Sequence, residues 1–239
     1  MTFAASEREF QARFWVIGAV FGIGFGVGGA IMHVATADVL GNALGPALGG
    51  TRTVLALATL FVAIAAWLRS WAEAYLKSSV VHEAARVTDR LVADGPYRHV
   101  RNPLYLANVL LALGLGALTS PPGAVFIVVA MTLVCVRLIL HEEAGLLASQ
   151  GESYRQYLAA VPRLLPAIRP RVPPGGGRPD WKDGIAGEGF FWSFAIGMAA
   201  LTITGRALLL WIVMGIGFVL YFAQAALRKK KTTTTKAPP

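Results

Sequence analysis

NPLYLANVLLALGLGALTSPPGAVFIVVAMTLVCV, residues 102–136, runs for 35 residues without one charge. A membrane span needs roughly 20 apolar residues to cross about 30 Å of hydrocarbon, so the run is too long for one crossing. Thr119, Ser120, Pro121, Pro122 and Gly123 interrupt it near its middle. Prolines beside small and hydroxyl residues stop a helix. The stretch therefore predicts two helices joined by a tight turn, lying side by side in a bilayer.

The rest of the chain repeats that composition. Of 239 residues, 55% are hydrophobic and only 15% charged, where a soluble chain carries about a quarter charged. Further uncharged blocks run from Phe14 to Met32, Val54 to Leu68, Gly189 to Gly205 and Ala207 to Leu227. The expectation is an all-α, polytopic membrane helical bundle of about six spans, at 12–34, 53–72, 103–119, 122–140, 187–205 and 207–227. The first apolar block is too long for a signal peptide, and no small-residue cleavage site follows it. The one cysteine, Cys135, falls inside a predicted span. A disulfide framework is excluded, and Cys135 reads as a small packing residue.

The net charge of +9 would fit nucleic acid, but its distribution argues otherwise. Lys77, Arg86, Arg90, Arg98 and Arg101 lie between spans two and three. Arg155, Arg163, Arg169, Arg171, Arg178 and Lys182 lie between spans four and five, and Arg228, Lys229, Lys230, Lys231 and Lys236 follow span six. The alternate loops hold Arg52 and Arg206. This positive-inside pattern predicts an integral, multi-pass membrane protein with both termini cytoplasmic, which in a bacterium means the plasma (inner) membrane. The basic tail reads as a topology anchor that attracts anionic membrane lipid, with no nucleic-acid partner.

Three regions follow. Residues 1–75 form an N-terminal two-helix hairpin, in which Gly18, Gly22, Gly24, Gly26, Gly28 and Gly29 read as ordinary close helix packing. Residues 76–170 hold nearly all the polar chemistry. Residues 171–239 comprise a Pro/Gly-rich linker, two C-terminal spans and the tail. Within the middle region, HEEAGLLASQGESYRQYLAAVPRLLP (141–166) places Leu146, Leu147, Tyr154, Tyr157, Leu158 and Val161 near helical spacing, broken at Gly151. It predicts one or two amphipathic helices on the membrane surface.

Two polar segments, His82 to Tyr105 and Arg137 to Tyr157, flank the central hairpin. Because the hairpin is short, they must lie close together at one membrane face. Taken singly, Arg98, Arg101 and Arg137 read as topology anchors and His99 as an interfacial hydrogen-bonder. Arg137 is also inside the end of span four, a costly place for a charge unless it is paired or lines a wet cavity. His82, His99 and His141 lack metal-ligand spacing, so no metal site is expected. Nucleophile-elbow and phosphate-loop motifs are absent. Taken together, these segments predict a cytoplasmic pocket that offers cations, imidazoles, an amide, tyrosines and carboxylates beside lipid. Such a pocket suits a zwitterionic, aromatic-bearing cofactor and a greasy substrate entering sideways.

Gly95-Pro96-Tyr97, Arg101-Asn102-Pro103-Leu104-Tyr105, the acidic pair Glu142-Glu143, and Gly151 with Tyr154, Tyr157 and Pro162 together resemble one family. The order, the spacing and the intervening hairpin are similar to those of the isoprenylcysteine carboxyl methyltransferase and phospholipid methyltransferase group of integral membrane enzymes. The resemblance covers roughly residues 76–166. It implies S-adenosylmethionine as methyl donor, bordered by His82, Asp89, Arg90, Leu91, Val92, Tyr97, Asn102, Pro103, Leu104, Tyr105 and Glu142. Arg98, His99, Arg101 and Glu143 complete the candidate cofactor-binding set. The resemblance also implies a substrate-contacting arginine ahead of the acidic pair, for which Arg137 is the candidate. Arg137 and Glu142 are thus the candidate catalytic residues. The implied partner is a lipophilic small molecule, lipid or lipidated substrate, with the acceptor atom (carboxylate, amine or thiol) left open. Two alternatives stand beside it: an NADPH-dependent sterol-type reductase of related architecture, and a non-enzymatic membrane scaffold working through its tail.

Overall fold

A computed structural model describes residues 3–83 and 93–235, with side chains for 3–76 and 93–223. Among these residues every regular element is helical: α1 (Glu7–Gln11), α2 (Arg13–Ile31), α3 (Thr36–Leu44), α4 (Gly50–Glu83), α5 (Pro103–Gly116), α6 (Pro121–Gln150), α7 (Glu152–Ala160), α8 (Trp181–Gly187), α9 (Gly189–Thr204) and α10 (Ala207–Thr235). Short 3-10 turns cover Pro46–Leu48 and Gly95–Arg98. The expected hairpin is present. Pro103 and Pro121 each stand in the first turn of their helix, where proline's missing N–H costs nothing. Among the described residues three helical runs are long and apolar enough to cross a membrane by length and composition: Arg13–Ile31, Pro46–Leu76 and Pro121–Gln150. A fourth is the pair Trp181–Gly187 and Gly189–Thr204, bent by 67°, while Pro103–Gly116 and Ala207–Ala223 are shorter apolar helices.

Boundaries depart from expectation in three places. The predicted span 122–140 and the surface helix after it are one continuous helix, α6, which ends only where Gly151 takes a positive φ of 59°. Span two continues to Glu83. A short helix, α3, occupies the connection between α2 and α4; its Thr36 and Ala37 amides donate to the carbonyls of Thr119 and Ala117 at 2.7 and 3.0 Å.

The long helices form a ring. α2 packs on α6, α6 on α5, α5 on α4, α4 on α9 and α9 on α10. Gly24 and Gly28 bring α2 close to the start of α6, since a Cβ there would overlap Ile127 and Thr119 respectively. Between α4 and α9, the Thr59 and Thr202 hydroxyls are 2.9 Å apart and the Trp192 indole donates to Ser70 at 2.9 Å. Such side-chain bonds hold helices together where lipid gives no hydrophobic drive. The outer surface is apolar, with Val125 64%, Val129 52% and Ile203 69% exposed, as a lipid-facing surface would be. The ring's two ends, α2 and α10, meet through aromatic rings: Phe14 stacks on Tyr221 at 5.8 Å and meets Phe222 edge-on at 6.3 Å.

Candidate functional site

The helices line a partly open cavity of roughly 1590 Å³. Its polar end begins at the turn Gly95–Arg98. Gly95 adopts a φ of 57°, and a Cβ there would overlap the Tyr75 ring, so glycine lets the turn lie against α4. The next residues lead into α5 under several restraints. The Arg101 amide donates to the Pro162 carbonyl at 2.9 Å. Its guanidinium donates to the Leu158 carbonyl and lies 3.1 Å from the Glu143 carboxylate. The Asn102 side chain donates to Glu143 at 3.2 Å and to the Arg163 carbonyl at 3.1 Å, and Arg163 reaches Glu143 at 2.9 Å. Glu143 is 6% exposed, and a carboxylate so buried persists because it is paired and hydrogen-bonded.

Glu142, the neighbouring residue, points elsewhere because successive helical residues are turned by about 100°. It lines the cavity and accepts a hydrogen bond from the Tyr105 hydroxyl at 2.9 Å. Tyr154 and Tyr157 also line the cavity, and the Tyr157 hydroxyl donates to the Tyr97 carbonyl at 2.8 Å. Burial raises the Tyr97 phenol above its usual range, with Glu73 and Glu142 adding to the effect. Burial, then Glu143, pushes Tyr154 up to about 12. Burial, with Tyr154 next, raises Tyr157. All three are neutral hydrogen-bonding groups at physiological pH.

The opposite wall carries a second polar group. Arg69 of α4 donates from Nε and Nη2 to the two Glu188 oxygens at 2.7 and 3.0 Å. Its Nη1 is 3.4 Å from the Asn108 side-chain oxygen, and its guanidinium lies 4.0 Å over the Phe191 ring. Along α5 the lining then changes character. Arg101, Tyr105 and Asn108 give way to Leu111, Leu115 and Leu118 at helical spacing, facing Phe21, Phe25 and Trp211. One cavity thus has a charged, hydrogen-bonding end and a deep apolar end.

Of the residues singled out in the sequence, Tyr97, Arg101, Asn102, Pro103, Leu104, Tyr105 and Glu142 line this cavity. Arg98, His99, Glu143 and Arg137 do not. Arg98 donates to the Val172 carbonyl and the His99 ring pairs with the Ala167 carbonyl, each at 2.9 Å. These bonds hold segment 161–172 against the turn. Arg137 binds both Glu9 oxygens at 2.8 Å beneath α1, where Ala5 also donates to the Arg137 carbonyl at 3.0 Å. Asp89, Arg90, Leu91 and Val92 lie outside the described residues, as does the side chain of His82. Sequence reading passed over Arg69, Asn108, Glu188 and Gln150. The available signal was Arg69 and Glu188, two opposite charges inside predicted spans, since such charges pair or mark function. Among the described residues no group of three or more His, Cys, Asp or Glu side chains could share a metal ion.

Fold and site define an all-helical membrane protein with a cavity that is polar at one end and apolar at the other. Residues 51–150 match the family model of the phospholipid methyltransferases, which bears out the resemblance drawn from the motifs. The cobalt-zinc-cadmium resistance protein CzcN of Cupriavidus metallidurans is 30% identical over 115 residues, covering 48% of this chain and 50% of that protein. The protein-S-isoprenylcysteine O-methyltransferase of Schizosaccharomyces pombe is 35% identical over 115 residues, 45% of this chain and 48% of that one. The nickel-cobalt-cadmium resistance protein NccN of Alcaligenes xylosoxydans is 26% identical over 48% of this chain and 51% of that one. The chain thus spans about half the length of these curated relatives. No solved structure matches.

Proposed function

We propose that the protein is a membrane methyltransferase that takes its methyl group from S-adenosylmethionine and passes it to a lipophilic or amphiphilic acceptor. The observation that carries the reading is the single cavity joining a charged end to an apolar end. The donor set at the charged end suits a zwitterionic, nucleoside-bearing cofactor. Glu142 supplies a negative wall for a sulfonium, ammonium or ribose hydroxyl. The uncapped start of α5 at Asn102 and Pro103 suits a carboxylate, because free helix amides favour anions. Tyr97 and Tyr105 bound a space for an aromatic base. The side-chain oxygen of Gln150, which lines the cavity, is buried without a partner among the described residues, and a buried acceptor left unmet is costly unless a ligand meets it.

When bound, S-adenosylmethionine supplies an already activated methyl group, so the protein's work is alignment and exclusion of water. Orientation alone can contribute about 7–11 kcal/mol to such a displacement. Arg69, Asn108 and Glu188 stand where the charged and apolar parts meet, at the height where an amphiphile's head would sit. The basic residues Arg98, Arg101, Arg163, Arg169 and Arg171 favour a cytoplasmic position for the polar end by the positive-inside rule. On this reading all six apolar helices of the ring cross the bilayer. The test is mass spectrometry of lipid extracts from proteoliposomes supplied with methyl-deuterated donor. A labelled methyl on a lipid, absent with Glu142→Gln, is the expected result. Labelled product at equal yield from both proteins, or from neither, would end this reading.

A further inference from the structure

We infer that the acceptor's apolar tail lies in a groove between α2 and the α9–α10 pair, and that Gly18 and Gly22 set the bulk this groove admits. The inference rests on the methyltransferase reading and adds to it which residues select the acceptor. Three observations lead there. First, the cavity volume of roughly 1590 Å³ exceeds the about 300–1,000 Å³ of ordinary small-molecule pockets, so a donor at the polar end leaves room for a second ligand. Second, the apolar wall is drawn largely from outside the family-matched segment 51–150: Phe14, Phe21 and Phe25 from α2, Phe194 from α9, Trp211 and Phe218 from α10. The polar wall comes chiefly from inside it. A shared donor end and a separate acceptor end is the division expected where the acceptor differs among relatives.

Third, two pairs among the six glycines of α2 differ in role. Gly24 and Gly28 seat the helix on α6. Gly18 and Gly22, one turn apart, line the cavity, and a Cβ at either would meet nothing within 4 Å. Packing therefore does not require glycine at these two positions. A bare strip of backbone on the same cavity as the aromatic residues of α9 and α10 leaves room for a flexible hydrocarbon chain. The Arg69–Glu188 pair on the cavity wall is self-neutralised.

The test uses a palmitic acid analogue carrying a diazirine in its chain, with the full-length protein in nanodiscs. After irradiation, adducts are mapped by mass spectrometry. They are expected on cavity residues of α2, α9 and α10. Gly18→Leu and Gly22→Leu should each lower the adduct yield about tenfold, the scale on which a hydrophobic pocket rejects surplus bulk. Gly26→Leu is the control, because Gly26 has equally open surroundings but does not line the cavity. Unchanged S-adenosylhomocysteine binding by the Gly18 and Gly22 variants would place the loss in the tail groove. Equal yields from the Gly18, Gly22 and Gly26 variants, or adducts confined to outward residues such as Val129 and Leu133, would overturn the inference. Absent S-adenosylhomocysteine binding by the wild type would instead count against the donor reading, with the adduct pattern still deciding this one.

Discussion

Tyr105 and Glu142 meet at 2.9 Å across the polar end of the cavity, hydroxyl to carboxylate. The bond joins the first turn of α5 to α6 and fixes the one carboxylate that α6 presents to the cavity. Hydrogen bonds to charged groups contribute about 1.5–3 kcal/mol. Glu142→Gln should therefore weaken S-adenosylhomocysteine binding by about tenfold or more, and Tyr105→Phe by less, because the carboxylate survives. Calorimetric titration of both variants checks the order; a stronger effect from Tyr105→Phe would contradict the assignment of Glu142 as the contacting group.

Arg69 and Glu188 make a second prediction, about stability. Glu188 is 6% exposed, and removing one partner of a buried pair costs about 3–5 kcal/mol because the other charge is stranded. Glu188→Ala should lower the Tm markedly in detergent. The joint replacement Arg69→Met with Glu188→Leu should recover most of the loss. If the single variant melts like wild type, the pair is not buried as described.

Arg137 is paired outside the cavity. Its guanidinium is occupied by Glu9 beneath α1, away from the cavity. Arg137→Gln should leave S-adenosylhomocysteine affinity within about twofold of wild type, the usual range for a partly exposed pair. A loss as large as that of Glu142→Gln would make Arg137 part of the donor site.

The buried tyrosines give a pH dependence. Tyr154 is pushed up to about 12, and Tyr97 and Tyr157 are also raised, burial being the first cause in each. The unfolded chain loses these protons near pH 10 while the folded chain keeps them, so stability falls as pH rises between about 10 and 12. Melting curves across that interval should show a falling Tm, made shallower by Tyr154→Phe. A Tm that is flat through this range in the wild type would contradict the buried, neutral phenols.

The hairpin and the polar segment were legible because local chemistry dictates them. Two prolines flanked by Thr119, Ser120 and Gly123 can only punctuate an apolar run, and a short hairpin forces its two flanks together. That logic brought Tyr97–Tyr105 and Glu142 to one place. It could not separate Glu142 from Glu143, since which of two neighbours faces the cavity depends on the phase of α6 against α5. It also could not pair Arg69 with Glu188, 119 residues away, because that contact depends on where α9 packs in the ring. The phase of α6 was obscured further because Gly151, not the end of the apolar block, terminates the helix.

The central claim is that the polar end of this cavity holds the methyl donor. Calorimetric titration of the detergent-purified protein with S-adenosylhomocysteine, with NADPH as the competing ligand, tests it most directly. The account predicts saturable 1:1 binding that NADPH does not displace and that Glu142→Gln weakens about tenfold. No binding, or displacement by NADPH at comparable concentration, would contradict it.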